Sequence, residues 1–372
     1  MQSKSSTSIY SSKDEGEMTG ENTITDDIQN NIKKYKAGMQ IIFEGARAET
    51  GQTPKEIIWT KNKAKLYRYE PSIEKRFPVP ILLVYALINR PYVLDLIPGN
   101  SLVEYLVNNG FDVFMLDWGT PGDEDSNLTF ENYILDYLPR AIKKVLRTSK
   151  AEEITILGYC MGGTMTAMYA ALFPGKPLRN LILLTAPIDF SQENTGFYGL
   201  WTSEKFFNPD HMVEAFGNIP GEFIDTGNRM AKPVTNYVGS YVTMWDRILQ
   251  GKSMDSWLAM NKWVNDGIPF PGATFRQWIR EFYQQNKLIK GEIKLRGLGV
   301  DLSEISCSVL NIAGKKDHIC TLPQAEATMR LISSDDKEFF VLDAGHVGLL
   351  TGSDAKKTLW PKVRNWLELR SN

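Results

Sequence analysis

Gly158-Tyr159-Cys160-Met161-Gly162-Gly163 constrains this chain more than any other stretch. Ahead of it, Glu153-Ile154-Thr155-Ile156-Leu157 is short, apolar and β-branched, which is the pattern of a buried strand. Behind it, Thr164 to Phe173 is rich in Ala, Met, Leu and Tyr and predicts a helix. A strand that turns sharply into a helix around one glycine-framed residue is the context of a nucleophile elbow. The central residue of that turn is strained, and the flanking glycines remove Cβ atoms that would collide. The turn leaves one side chain at the mouth of the sheet. Here it is the thiol of Cys160, in a position where a hydroxyl is usual. Taken alone, the motif also describes a buried structural cysteine. The functional reading therefore needs partners for the thiol elsewhere in the chain.

The pattern around the elbow is strand–helix alternation. Lys55–Trp59 and Lys65–Tyr69 read as a hairpin, and Val79–Leu87 as a fully apolar central strand. A helix capped by Ser101 runs to Asn109, a strand covers Phe111–Leu116, and a helix covers Phe130–Thr148 with Pro139 as a kink. After the elbow and its helix comes a strand at Leu181–Thr185. From 188 to 300 the alternation stops: aromatic, Met and Pro residues crowd short helical stretches, and the segment is too long for a loop. It reads as an inserted, mainly helical cap. Strand patterns return at Ser308–Ala313 and Glu338–Leu342, and a helix around Trp360–Leu369 closes the chain. The expected organisation is a core of 51–187 and 301–372, a mostly parallel sheet with helices on both faces, and a cap of 188–300. Ahead of the core, residues 25–50 predict an amphipathic helix on Ile28, Ile32, Tyr35, Met39, Ile42, Phe43 and Ala46, with Thr25 as N-cap. Periodicity leaves open whether that face docks on its own chain or on a partner. Residues 1–24 are Ser-, Thr-, Glu- and Lys-rich and read as a disordered tail.

Composition excludes several classes. A net charge of −2 gives no reason to expect nucleic acid. Three cysteines and three histidines suit neither a disulfide framework nor a zinc site of usual spacing, so no metal and a reducing cytoplasm are expected. No apolar run approaches the roughly 18 residues of a membrane span, and the first residues hold no secretory signal.

In an α/β-hydrolase, nucleophile, acid and histidine follow in that order, each in a loop past a strand end. The strand at Ser308–Ala313 leads into Gly314-Lys315-Lys316-Asp317-His318, and that at Glu338–Leu342 into Asp343-Ala344-Gly345-His346. The ordering selects Cys160, Asp317 and His346 as the catalytic residues. His318 is the rival base and Asp343 the rival acid. Asp317 taken alone also suits a loop-turn role. His211 reads as a helix-start residue, and Cys307 and Cys320 read as structural. Backbone N–H groups of Met161, after the nucleophile, and of Ile88, in the first strand–helix loop, are the expected oxyanion hole.

A thiolate exchanges acyl groups readily with thioesters, and an acyl-thioenzyme hydrolyses slowly. A cysteine elbow therefore favours acyl transfer over hydrolysis, and an aromatic cap that closes over the site would exclude water as the competing acceptor. Further motifs carry a resemblance: Leu66-Tyr67-Arg68-Tyr69, Tyr85-Ala86-Leu87-Ile88-Asn89-Arg90-Pro91-Tyr92, Asp117-Trp118-Gly119, Gly217-Asn218-Ile219-Pro220, Arg276 through Tyr283, and Gly345-His346-Val347-Gly348. With the elbow, they identify the chain as resembling the poly(3-hydroxyalkanoate) synthases. The likeness is to the catalytic subunits of the two-subunit classes (III and IV), from about Thr53 to the C-terminus. The resemblance implies polymerisation of (R)-3-hydroxyacyl-CoA, 3-hydroxybutyryl-CoA being usual, with release of CoA and no resident cofactor. It places the family's nucleophile, acid and base on Cys160, Asp317 and His346, with Asp317 helping to activate the 3-hydroxyl alone or through the histidine. It implies a small helical partner subunit, dimerisation through the cap, and residence on polyester granules in the cytoplasm. The alternative is a cysteine hydrolase or thioesterase of the same fold.

Overall fold

Apolar runs that alternate with helices can bury both faces of a parallel sheet, and the central strands of an eight-stranded sheet do so here. The computed structural model describes residues 29–36, 38–40 and 48–372. The sequence-predicted tail of 1–24, with Thr25, Ile28, Ile42, Phe43 and Ala46 of the amphipathic helix, lies outside the described residues. The strands are β1 Lys55–Lys61, β2 Ala64–Tyr69, β3 Ile81–Val84, β4 Val113–Asp117, β5 Ile154–Tyr159, β6 Leu178–Leu184, β7 Ser308–Gly314 and β8 Lys337–Leu342. Their spatial order is β1-β2-β4-β3-β5-β6-β7-β8. The β1–β2 and β2–β4 pairs are antiparallel, and every other neighbouring pair is parallel. Every residue of β3 and of β5 is buried, because helices cover both faces. This is the α/β-hydrolase architecture.

Two elements differ from the sequence reading in ways that bear on the site. The strand expected over Val79–Leu87 leaves the ladder after Val84, although Tyr85, Ala86 and Leu87 stay buried. The chain bends there because the helix that begins at Met161 lies directly against it, with Gly162 facing the Val84 and Tyr85 carbonyls. The helix expected over Phe130–Thr148 is a π-helical segment, Asn132–Tyr137, followed by α2, Leu138–Ser149. The two segments form one continuous helix, so Pro139 lies in its interior, and the wider π-helical turn just ahead of it accommodates the ring and the missing N–H. Helix α1, Leu102–Asn108, starts at Ser101, whose hydroxyl accepts the Glu104 N–H at 2.9 Å.

Helix α3, Met161–Leu172, follows β5 directly, and Met161 to Ala171 are all buried. Between β6 and β7 the chain builds a helical layer: α4 Gly196–Trp201, α5 Pro209–Phe216, α6 Gly221–Met230, α7 Ser240–Leu249, α8 Asp255–Val264 and α9 Gly272–Gln277. The end of α8 is tied to the loop after β3. The Trp263 indole N–H donates to the Arg90 carbonyl at 2.8 Å, and Asp266 accepts from Arg90 at 2.8 Å and from Tyr92 at 3.0 Å. Residues 29–36 and 38–40 are helical and lie on α7, with the Tyr35 ring stacked on Trp245 at 5.8 Å. The segment thus touches its own chain, while Ile32 and Tyr35 of the expected apolar face remain exposed. The closing helix, α10 Trp360–Glu368, buries Trp360, Val363, Trp366 and Leu367. Among the described residues no helix is long and apolar enough to cross a membrane.

Candidate active site

Cys160 ends β5 and starts α3 with φ 56° and ψ −130°, a conformation that L-residues avoid. Close packing fixes it. A Cβ on Gly158 would lie 2.3 Å from Thr166 Oγ1, one on Gly162 2.4 Å from the Val84 carbonyl oxygen, and one on Gly163 2.4 Å from Ala186 Cβ. The Cys160 N–H donates to the Leu184 carbonyl at 3.0 Å, and its own carbonyl accepts the Gly163 N–H at 2.8 Å. The backbone is pinned on both sides of the strained residue, which is how such strain persists.

The loop after β7 carries Asp317 and the loop after β8 carries His346, and the fold brings both to Cys160. His346 Nδ1 lies 2.7 Å from Asp317 Oδ2, and the ring shares a cavity wall with Cys160. Thr185, one residue past β6, donates its hydroxyl to the same Oδ2 at 2.5 Å. The N–H groups of Ile319 and Cys320 donate to Oδ1 at 2.8 and 3.0 Å. Burial works against charge on Asp317, but the imidazole, the Thr185 hydroxyl and the Cys320 amide outweigh it and hold the carboxyl below its ordinary range. Burial likewise works against an imidazolium at His346, and Asp317 and Cys160 overcome it, so that imidazole is raised. The two shifts describe one buried pair in which each charge stabilises the other.

The rival residues sit elsewhere. His318 is half-buried on the wall of a cavity, where burial and the nearby Lys232 lower its imidazole. Asp343 forms an exposed ion pair with Lys316 at 2.8 Å. His211 is exposed in α5, two residues inside a start capped by Asn208. The three cysteines are all free. Cys307 is only partly buried, and Cys320, read from sequence as structural, is buried in the wall of a cavity that also includes Cys160. Sequence reasoning missed Thr185 and Tyr159. The Tyr159 hydroxyl donates to the His346 carbonyl at 3.2 Å, and its ring lies 5.1 Å from the imidazole. Tyr159 does lie inside the elbow motif, but nothing local marks a residue before the nucleophile as a support for a loop 187 residues away.

Two cavities meet at the thiol. The outer one, about 410 Å³, is lined by His318, His346, Asn228, Arg229 and Trp257 among others. The inner one, about 90 Å³, is walled by aromatic side chains including Trp201, Phe207, Phe275, Trp278 and Tyr283. Ile88 and Cys160 belong to both walls, and Met161 to the inner one. The backbone N–H groups of Met161 and Ile88 have no internal acceptor among the described residues. The residue Cys160 as a whole is 9% exposed.

Comparison with known proteins turns this geometry into a family assignment. The chain is 40% identical over 331 residues to the poly(3-hydroxyalkanoate) polymerase subunit PhaC of Haloferax mediterranei, covering 87% of this chain and 67% of that protein. The chain belongs to the poly(3-hydroxyalkanoate) polymerase (PhaC) family. The PhaC subunit of Allochromatium vinosum is 34% identical over 349 residues, 93% of this chain and 97% of that one. A family model described as the poly-beta-hydroxybutyrate polymerase (PhaC) N-terminus matches residues 5–106, and one described as the alpha/beta hydrolase fold matches 79–353. The first of these takes the likeness to PhaC well ahead of Thr53, where the sequence motifs begin. A candidate lipase from Sulfolobus solfataricus superposes with a TM-score of 0.57 at 16% identity, over 87% of this chain and 97% of that one, which bears on fold alone. As a PhaC family member the protein is an enzyme, a synthase of the acyltransferase kind.

Proposed function

We propose that this PhaC chain polymerises (R)-3-hydroxyacyl units from CoA thioesters through acyl groups held on Cys160. The observation that carries the reading is a thiol in the elbow position, on one cavity wall with the imidazole of a buried imidazole–carboxylate pair and roofed by aromatic side chains. Cys160 attacks the thioester carbonyl, and His346 takes the thiol proton. The oxyanion is held by the N–H groups of Met161 and Ile88. The carbon–sulfur bond to CoA breaks, and His346 returns the proton to the departing thiolate, releasing CoA as its thiol. A second 3-hydroxyacyl-CoA then offers its hydroxyl. His346 takes that proton, the oxygen attacks the acyl-cysteine, and the proton passes to the Cys160 sulfur as it leaves. The lengthened thioester re-acylates Cys160 and CoA departs again.

The hydrogen bonds of Asp317 bear on who acts as base. Two amides, one hydroxyl and one imidazole already donate to its two oxygens, and its side chain has no exposed surface. A carboxylate has about four lone-pair sites, so none is left for a substrate hydroxyl. Asp317 therefore works through His346.

The same reading includes a small helical partner subunit, a homodimer contact on the cap, and residence in the cytoplasm at polyester granules. Val234, Val238 and Val242 support a protein contact there: they recur at four-residue spacing on the cap and are all exposed. The test is incubation with 3-hydroxybutyryl-CoA, with and without a co-purified small subunit, following CoA and insoluble polymer together. Continuing CoA release with polymer is the expected result. CoA release with free 3-hydroxybutyrate alone would instead identify a hydrolase.

A further inference from the structure

Thr185 is a β-branched residue at φ 48°, and a β-branched side chain with positive φ is a genuine outlier. It is fully buried, and its N–H donates to the Ile312 carbonyl of β7 at 2.7 Å. The residue therefore sits in a strained conformation that its surroundings over-determine, as at functional sites. The strain has a visible consequence: it aims Oγ1 at Asp317 Oδ2, 2.5 Å away, and that oxygen is the one that receives His346 Nδ1. Thr185 lines neither cavity, so it touches no substrate.

We infer that Thr185 is a positioning residue for the Asp317–His346 pair, its hydroxyl holding the carboxylate in the one orientation that keeps the imidazole aimed at Cys160. Apolar packing alone would not call for a hydroxyl here, since a valine has the same shape. The hydroxyl also stabilises the ionised carboxylate. Its loss should therefore weaken the carboxylate's support of the imidazolium, so that His346 loses its proton at lower pH and the acid limb of activity moves down. The inference rests on the roles proposed above for Cys160, Asp317 and His346.

The experiment compares Thr185→Val, Thr185→Ser and wild type in the full chain. One readout is CoA release from 3-hydroxybutyryl-CoA across pH. The other is the pH dependence of Cys160 alkylation by iodoacetamide, which needs no acyl substrate. A hydrogen bond to a charged group is strong enough that Thr185→Val should lower kcat about 10- to 100-fold. KM should stay within about twofold, because the residue lies off both cavities. The acid limb of alkylation should move down by about half a pH unit or more. Thr185→Ser, which keeps the hydroxyl, should stay within about threefold of wild type in kcat. If Thr185→Val does not fold, Thr185→Ala is read the same way. The inference is overturned if the valine or alanine variant keeps the wild-type kcat and acid limb, or if serine falls as far as valine. If wild type releases CoA without polymer, the polymerase reading fails, yet the alkylation profile still decides the role of Thr185.

Discussion

Gly162→Ala is the most demanding test of the elbow, because two effects of opposite sign compete at one helix position. Inside an exposed helix, alanine is favoured over glycine by about 1 kcal/mol. At Gly162 the new methyl would stand 2.4 Å from the Val84 carbonyl oxygen and 2.7 Å from both the carbon and the oxygen of the Tyr85 carbonyl. These are backbone atoms, so no rotamer change relieves them. Ordinary contact lies above 3.4 Å, so relief requires the start of α3 and the chain leaving β3 to part by about 1 Å. Overpacking of this kind costs about 1–3 kcal/mol, which offsets the propensity gain and leaves a net loss of up to about 2 kcal/mol. In a chain of 372 residues that lowers Tm only slightly, by about 1–1.5 °C per kcal/mol. The kinetic effect should be larger. The parted segments carry the two proposed oxyanion donors, Met161 on α3 and Ile88 just past Tyr85. A displacement of about 1 Å at such a site costs about 100-fold in rate. Gly348→Ala is the control: there the nearest atom is Ala344 Cβ at 3.6 Å, so no clash arises. The assay pairs thermal melting with kcat for CoA release. Gly162→Ala with wild-type kcat, or a Gly348→Ala variant equally damaged, would refute the argument from close approach.

Other substitutions read the remaining parts of the site. Cys160→Ser should reduce CoA release at least 1,000-fold as an order-of-magnitude figure, because an unassisted hydroxyl is a far weaker nucleophile toward a thioester; a titration of CoA by thiol reagent measures it. His346→Gln should abolish acylation while His318→Gln keeps it within about threefold, and comparable losses in the two would reassign the base. Asp317→Asn should slow elongation by about 100-fold or more and acylation by less, since a hydroxyl needs the aligned imidazole more than a thiol does; single-turnover CoA release against polymer growth separates the two steps. The buried pair also sets a pH window for stability. His346 is raised, so its contribution is full below pH 6.5 and is lost as pH rises toward about 10. Asp317 is lowered, so its contribution is present above pH 3.8 and is lost as pH falls below that. The Tm difference between wild type and His346→Gln should therefore be widest between about pH 4 and 6.5 and shrink on either side; a difference that grows toward pH 9 would contradict the pairing.

The parts of the site that could be read from sequence are those tied to one strand end each. Cys160, Asp317 and His346 follow apolar runs directly, and an ordered fold needs only that order to bring them together. The glycines were readable for the same reason, since a sharp strand-to-helix turn leaves no room for Cβ atoms at 158, 162 or 163. What escaped the sequence depends on contacts between loops. Leu184-Thr185-Ala186-Pro187 shows an ordinary threonine at a strand end, and nothing in the run announces a positive φ or an acceptor 132 residues away. The early exit of β3 at Val84 was hidden because Tyr85, Ala86 and Leu87 are as apolar as a strand; they are buried under α3 rather than in the ladder. The π-helical turn before Pro139 was hidden by the same ambiguity, since proline signals an interruption without saying whether the helix bends or widens.

The two cavities supply a reason for a thiol at the elbow that the motif alone could not. A hydrolase needs water at its acyl-enzyme, whereas a polymerase must keep water out while a second acyl unit reaches the same atom. Cys160 stands where an outer cavity of about 410 Å³ with polar side chains meets an aromatic one of about 90 Å³. The outer cavity has the room for a pantetheine arm and polar side chains such as Asn228 and His318 on its wall, and the inner one has an aromatic lining suited to an acyl unit. Opening the inner wall should then admit water before it admits a longer acyl group. Phe275→Ala removes one of its rings. The variant should release free 3-hydroxybutyrate alongside CoA, with the acid-to-polymer ratio rising at least several-fold over wild type. An unchanged ratio in a variant that still melts cooperatively would mean that the aromatic wall does not guard the acyl-cysteine, and the choice of transfer over hydrolysis would then have to rest on the thiol alone.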